Sequence, residues 1–203
     1  MTKRQETAVN HPRLLTVSRP DLLVDGSDAK LRNVIHRLHS HGQVMEKLAG
    51  GFGRLYGVSG VQHQIMTAVQ RLQGTEGVAV VDVAEYIRRS GAFVTIESGK
   101  LVAADLLEKM SDATDGRRVL LRLTREGHKR LADLAPVQRR INDMLFASLD
   151  RDRFLQLAML LEDLLPNAEH AADMLELINK DRKRTSLRSG LQGGGHKKAA
   201  GQE

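Results

Sequence analysis

The side chains best suited to chemistry lie between Ser90 and Gly127, in SGAFVTIESGKLVAADLLEKMSDATDGRRVLLRLTREG. A helical segment carrying Ser, Thr and Lys leads into a turn of Asp, Thr and Gly that ends in Arg117 and Arg118. Such groups offer hydrogen-bond donors and positive charge, which is the chemistry of recognition. A helix can enter a duplex major groove about 12 Å wide. An arginine just past the turn can reach the neighbouring minor groove, whose narrow stretches carry enhanced negative potential.

Helical spacing puts Ser90, Ala92, Phe93, Thr95, Ile96, Gly99 and Lys100 opposite an inward set of Val94, Ser98 and Leu101. Ser, Thr and Lys can donate to phosphates or base edges, while Ala, Ile and Phe can meet thymine methyls. Phe93 suits the core equally well, as a lone aromatic in an aliphatic chain. Arg88 and Arg89, at the preceding turn, suit phosphates, which position a protein without specifying sequence. Glu97 is awkward beside phosphates and is expected to pair with Arg88 or Arg89. Asp115 stands two residues before Arg117 and is expected to hold that guanidinium pre-ordered, with Arg118 as a second cation for the groove.

Other chemistries find less support. The chain has no Cys, which excludes disulfides, cysteine zinc fingers and thiol redox sensing. It has no phosphate-binding glycine loop and no nucleophile elbow, and an enzyme is not expected. His36, His39 and His41 cluster on one predicted helix and His63 lies on the next, but only His36 and His39 share a face. No metal site and no cofactor are expected; these histidines read as polar residues of an exposed or interfacial helix. No apolar run approaches the roughly 20 residues that cross a bilayer, and the N-terminus lacks the apolar core of a secretion signal. A cytoplasmic protein with no membrane partner is the expectation.

The charge is unevenly distributed. The net +6 invites a nucleic-acid partner, yet from residue 180 onward seven Lys or Arg face two acids, leaving 24 basic and 23 acidic residues before it. The body is near neutral, so local arrangement must carry the case.

Elements to position these residues follow from periodicity. Residues 1–27, with Pro12, Pro20 and Gly26, read as an extended arm. Ser27 and Asp28 start a helix striped by Leu31, Ile35, Leu38, Gly42, Met45, Ala49 and Phe52, whose end Gly50, Gly51 and Gly53 should loosen. Ser59 can cap a second helix ending at Gly74. Third and fourth helices cover VVDVAEYIRRS and GAFVTIESGKLVAADL; LLEKM and RVLLRL form a hairpin around SDATDG. Thr124 caps the next helix, which Pro136 should kink. Asp150 opens another that Pro166 should end, followed by a short amphipathic segment near 168–178. The Gly-rich basic remainder reads as disordered. Long apolar stripes on the outer helices suit symmetric dimerisation.

With these elements in place, the chain resembles MarR-family transcriptional regulators. The likeness rests on VDVAEYIRRSGAFVTIESGKLVAADLLEKM followed by DGRRVLLRLTREG. Val94, Thr95 and Leu101 match the V-T-x-x-x-x-x-L of a recognition helix, and Asp115, Arg117, Leu123, Thr124 and Gly127 match the wing pattern D-x-R-x-x-x-x-x-L-T-x-x-G. Asp105 departs from it, standing where the family usually has glycine.

The resemblance implies a mainly α fold with a small β-hairpin wing: a winged helix-turn-helix with N- and C-terminal dimerisation helices. Its parts would be an arm (1–27), a dimerisation helix (28–56), a DNA-binding lobe (57–127), C-terminal dimerisation helices (128–179) and a disordered basic tail (180–203). It further implies a homodimer on a pseudo-palindromic double-stranded DNA operator, acting as a repressor released by a small anionic effector such as an aromatic acid or thioester. His36, Arg37, Arg54 and Tyr56 are the candidates to receive that anion. The alternative is an architectural protein that binds any duplex and has no effector.

Overall fold

The computed structural model describes residues 14–112, Asp115 and 118–193, with side chains through Arg184. Its elements are α1 (Ala29–Leu55), α2 (Gly60–Leu72), β1 (Val78–Ala79), α3 (Val80–Tyr86), α4 (Gly91–Ala103), β2 (Leu107–Ser111), β3 (Val119–Leu123), α5 (Arg125–Leu145) and α6 (Arg151–Gly193). The fold is mainly α with a small antiparallel sheet, as the sequence pattern implies. Two compact units divide within α5, one running to Arg139 and the other from Arg140.

In the first unit, α2 is the central helix. Ser59 caps it reciprocally: Ser59 Oγ accepts the Gln62 N–H at 3.2 Å, and Gln62 Oε1 accepts the Ser59 N–H at 3.0 Å. The helix buries Ile65, Met66, Ala68 and Val69 against Val83, Val94, Leu101, Leu107, Leu121, Leu123 and Leu131. Each fully buried aliphatic side chain contributes about 1.5–3 kcal/mol. The core is aliphatic because the chain has no Trp and few other aromatics.

The sheet has order β1-β3-β2. The hairpin pairs Leu107 with Leu123 through to Ser111 with Val119, and β1 adds Val78 opposite Leu121. The third strand escapes sequence inspection because two residues are too few to show alternation.

Several expectations need correction. The arm does not simply extend: among its described residues, Pro20–Leu22 form a 3-10 turn, and Thr16 donates through its N–H and hydroxyl to Asp28 Oδ2 at 2.8 and 2.7 Å. Those bonds, with Arg32 beside it, hold the buried Asp28 carboxyl below the usual range. The glycines near the end of α1 do not loosen it, since α1 stays helical to Leu55. Gly53 instead allows close crossing: a Cβ there would lie 2.7 Å from the carbonyls of Val58 and Ser59.

In the second unit, Asp150 Oδ1 accepts the Arg153 N–H at 2.9 Å and opens α6. Phe146 and Phe154 pack edge-on, with ring centroids 5.8 Å apart. Pro166 does not end α6, which continues to Gly193. The proline removes one backbone donor, and next to it the Asn167 side chain gives Nδ2 to the Asp163 carbonyl at 3.1 Å. Helix α5 likewise continues through Pro136. The disordered reading of the tail fails for residues 180–193, which are helical; 194–203 lie outside the described residues. Lys, Arg and Leu are good helix formers, and a Glu176–Lys180 pair at 2.8 Å supports that stretch. Among the described residues, no helix is long and apolar enough to cross a membrane.

Candidate nucleic-acid interface

Helix α4 presents two faces. Ser90 caps it, its Oγ accepting the Phe93 N–H at 3.3 Å. Val94, Ser98 and Leu101 are fully inward, as their spacing predicts. Ala92, Thr95 and Lys100 are exposed, Ile96 is 60% exposed, and Gly99 is half-buried. Phe93, at 38% exposure, belongs to this outer face and not to the core. The Thr95 hydroxyl donates to the Gly91 carbonyl at 2.8 Å, leaving its lone pairs outward.

Glu97 is not paired as expected. It turns inward and accepts from Gln62 Nε2 at 2.9 Å and Lys100 Nζ at 2.6 Å, with neither Arg88 nor Arg89 among these partners. One helical turn brings Lys100 to it, and the packing of α2 on α4 brings Gln62. The Lys100 hydrogen bond, then that of Gln62, holds the Glu97 carboxyl below its usual range despite burial.

Arg88 takes a left-handed backbone, φ 56°, at the α3–α4 turn. Arg89 beside it reaches back to α1, its guanidinium 2.9 Å from Glu46.

The wing is a short antiparallel hairpin. The Asp112 N–H donates to the Arg118 carbonyl at 3.1 Å, and the Arg118 N–H to the Asp115 carbonyl at 2.9 Å. The Arg118 guanidinium lies 3.5 Å from Asp82 of α3 and 4.0 Å from Asp112. Arg117, and with it the expected Asp115–Arg117 pairing, lies outside the described residues.

The base of the wing explains the L-T-x-x-G spacing. Thr124 Oγ1 donates to the Asp105 carbonyl at 2.6 Å and accepts the Gly127 N–H at 2.9 Å, capping α5. Asp105 adopts φ 57°, the left-handed turn for which glycine is the easier residue. Gln73, which sequence inspection passes over, is buried and accepts the Leu123 N–H at 2.8 Å, tying α2 to β3. No local pattern marks that role, because its partner is 50 residues away.

The four effector candidates do not converge within one chain. His36 and Arg37 line an open depression of about 370 Å³ along α1 with Asn33, Ser40, His41 and Val44. Tyr56 lies about 30 Å further along the helix, at 1.5 Å per residue. It lines a second depression of about 390 Å³ with Leu55, Glu126, Lys129, Arg130, Asp133, Leu134 and Val137. Arg54 is exposed and lines neither depression. His63 is not a surface residue: it is buried, stacks near Phe52, and bonds Tyr56 Oη through Nδ1 at 2.6 Å. Burial lowers the His63 pKa and raises that of Tyr56.

No protein-family model and no curated protein sequence matches the chain. Solved structures do. A cysteine-to-serine variant of MarR from E. coli, complexed with operator DNA, is similar at 18% identity and TM-score 0.58, over 68% of this chain and 96% of that one. The transcription regulator MarR from Oenococcus oeni is similar at 16% identity and TM-score 0.56, over 66% and 98%. The MepR–DNA complex from S. aureus is similar at 21% identity and TM-score 0.55, over 66% and 96%. The architecture is that of the winged-helix proteins. Within that class, the fold is the one shared by MarR-type regulators.

Proposed function

We propose that the protein is a sequence-specific DNA-binding transcriptional regulator that works as a homodimer. The observation that carries this reading is α4, locked by Val94, Ser98 and Leu101 so that Ala92, Phe93, Thr95, Ile96 and Lys100 form a free face beside the wing. Ser90 and Lys100 supply donors, Thr95 an acceptor, Ala92 and Ile96 apolar contacts, and Gly99 lets the backbone approach a base edge closely. Arg88 and Arg89 serve phosphates; Arg117 and Arg118 serve the minor groove, with Asp115 ordering Arg117. The similarity of fold to two DNA-complexed structures supports the same geometry.

Two copies are needed to read a pseudo-palindrome. The apolar side chains left exposed on α6, among them Phe154, Met159, Leu160, Leu161 and Leu164, support association of like with like. The regulator is a repressor released by an anionic effector. The Tyr56 depression joins Leu55, Leu134 and Val137 to Lys129 and Arg130, with Glu126 and Asp133 also lining it; Arg130 is paired with Glu126, so Lys129 is the cation placed to meet an aromatic acid.

Selection of bound duplexes from a random pool tests the central reading. A footprint on half-sites about one helical turn apart is expected. Uniform coating of any duplex would replace it with non-specific architectural binding. Failure of every aromatic acid and thioester tried to release the selected duplex in a gel shift would refute the effector.

A further inference from the structure

Three of the cations around α4 and the wing are each matched to a carboxylate. Arg89 meets Glu46 at 2.9 Å, Lys100 meets Glu97 at 2.6 Å, and Arg118 meets Asp82 at 3.5 Å, with Asp112 further off at 4.0 Å. The carboxylates come from three different helices, α1, α4 and α3, so one local motif does not produce the matching. All three cation side chains are about half exposed, at 45%, 59% and 48%. The Arg89–Glu46 and Arg118–Asp82 pairs are exposed on both sides and add little to folding stability.

Their effect on DNA binding is larger in consequence. A guanidinium or ammonium held by a carboxylate must give up that partner before it accepts a phosphate oxygen. Glu97 cannot follow its lysine outward, because Gln62 Nε2 also holds it at 2.9 Å. Glu46 is anchored on α1 and Asp82 on α3, which are packed elements and not wing tips. The near neutrality of the first 179 residues, 24 basic against 23 acidic, accords with a face whose charge is offset internally.

Building on the DNA-binding reading above, we propose that Glu46, Asp82 and Glu97 are autoinhibitory counterions that hold Arg89, Arg118 and Lys100 away from phosphate. They lower affinity for every duplex alike. They leave sequence preference to the base contacts of α4, because the same pairs must open on any DNA. The opposite role is that the carboxylates pre-order the cations for binding. The two roles predict opposite signs.

The test uses the full chain in fluorescence anisotropy with a random-sequence duplex and with the duplex selected above, at several salt concentrations. Glu46→Gln and Asp82→Asn are the main variants. Glu176→Gln, which frees Lys180 on α6 by the same change of charge, is the control. Each main variant is expected to bind both duplexes roughly 2–5-fold more tightly, the equivalent of one exposed ion pair, with the preference between them unchanged. The gain is greatest at low salt, where phosphate contacts are strongest. Glu97→Gln should behave the same way, provided its thermal melt matches the parent. Gains no larger than that of the control, or weaker binding, overturn the proposal while leaving DNA binding intact. A parent protein that binds no duplex removes the DNA-binding reading and this inference with it.

Discussion

Replacing Gly127 by alanine is the sharpest single test of how the wing is attached to α5. In an open helix that change stabilises by about 0.5–1 kcal/mol, because glycine loses more backbone freedom on folding. At Gly127 a Cβ would run into the Leu106 carbonyl and lie 2.9 Å from Leu123 Cδ2. The carbonyl cannot easily retreat. It accepts the Thr124 N–H at 3.3 Å, and the Leu106 N–H is tied to the Leu101 carbonyl at 2.9 Å. Relief therefore requires the first turn of α5 to lift away from β2. That movement disrupts the Thr124–Leu106 and Gly127–Thr124 hydrogen bonds, each contributing about 1 kcal/mol. Overpacking adds about 1–3 kcal/mol. Allowing for the gain in helix propensity, Gly127→Ala should destabilise by about 2–4 kcal/mol. The melting temperature should fall by about 5–15 °C for a chain of this size. Urea titration followed by circular dichroism measures it, with Gly42→Ala as the comparison, since a Cβ at Gly42 meets nothing within 4 Å. The comparison variant should be neutral or slightly stabilised. Equal stability of Gly127→Ala and the parent would refute the close approach on which the reasoning rests.

Three further outcomes are expected. Arg117→Ala should weaken binding to the selected duplex by about 1–3 kcal/mol, and unchanged affinity at moderate salt would remove the wing from the interface. Burial lowers the His63 pKa from its ordinary 6.5, so the unfolded chain binds the proton more readily. Stability should therefore be full above about pH 6.5 and decline as pH falls below it, with the urea midpoint lower at pH 5.5 than at 7.5. His63→Phe should flatten that dependence, and an unaltered slope would exclude His63 as its source. Finally, Leu161→Glu combined with Leu164→Glu places two charges on the exposed apolar face of α6. Analytical ultracentrifugation should show a dimer for the parent and a monomer for the double variant; a variant that stays dimeric would place the association elsewhere.

The sequence by itself determined the elements whose causes are local. Period 3.6 in α2 and α4, the Ser59 cap, the Thr124 cap and the L-T-x-x-G spacing were all legible, because each involves residues within a turn or a hairpin. It also separated the inward Val94, Ser98 and Leu101 from the outer face of α4. Proline misled at Pro166, since a break is only a local preference and the helix runs through it to Gly193. Gly53 misled in the same way, because its use lies in a crossing with Val58 and Ser59 that helical periodicity does not encode.

Tertiary structure alone decided the partners. It turned Glu97 toward Gln62, Arg89 toward Glu46 and Arg118 toward Asp82, and it buried Gln73 against Leu123. It also set His36 and Arg37 in one depression and Tyr56 in another. Charges distant in the chain choose one another only after packing fixes their positions. For that reason the face of α4 was readable in advance, and the carboxylates that restrain it were not.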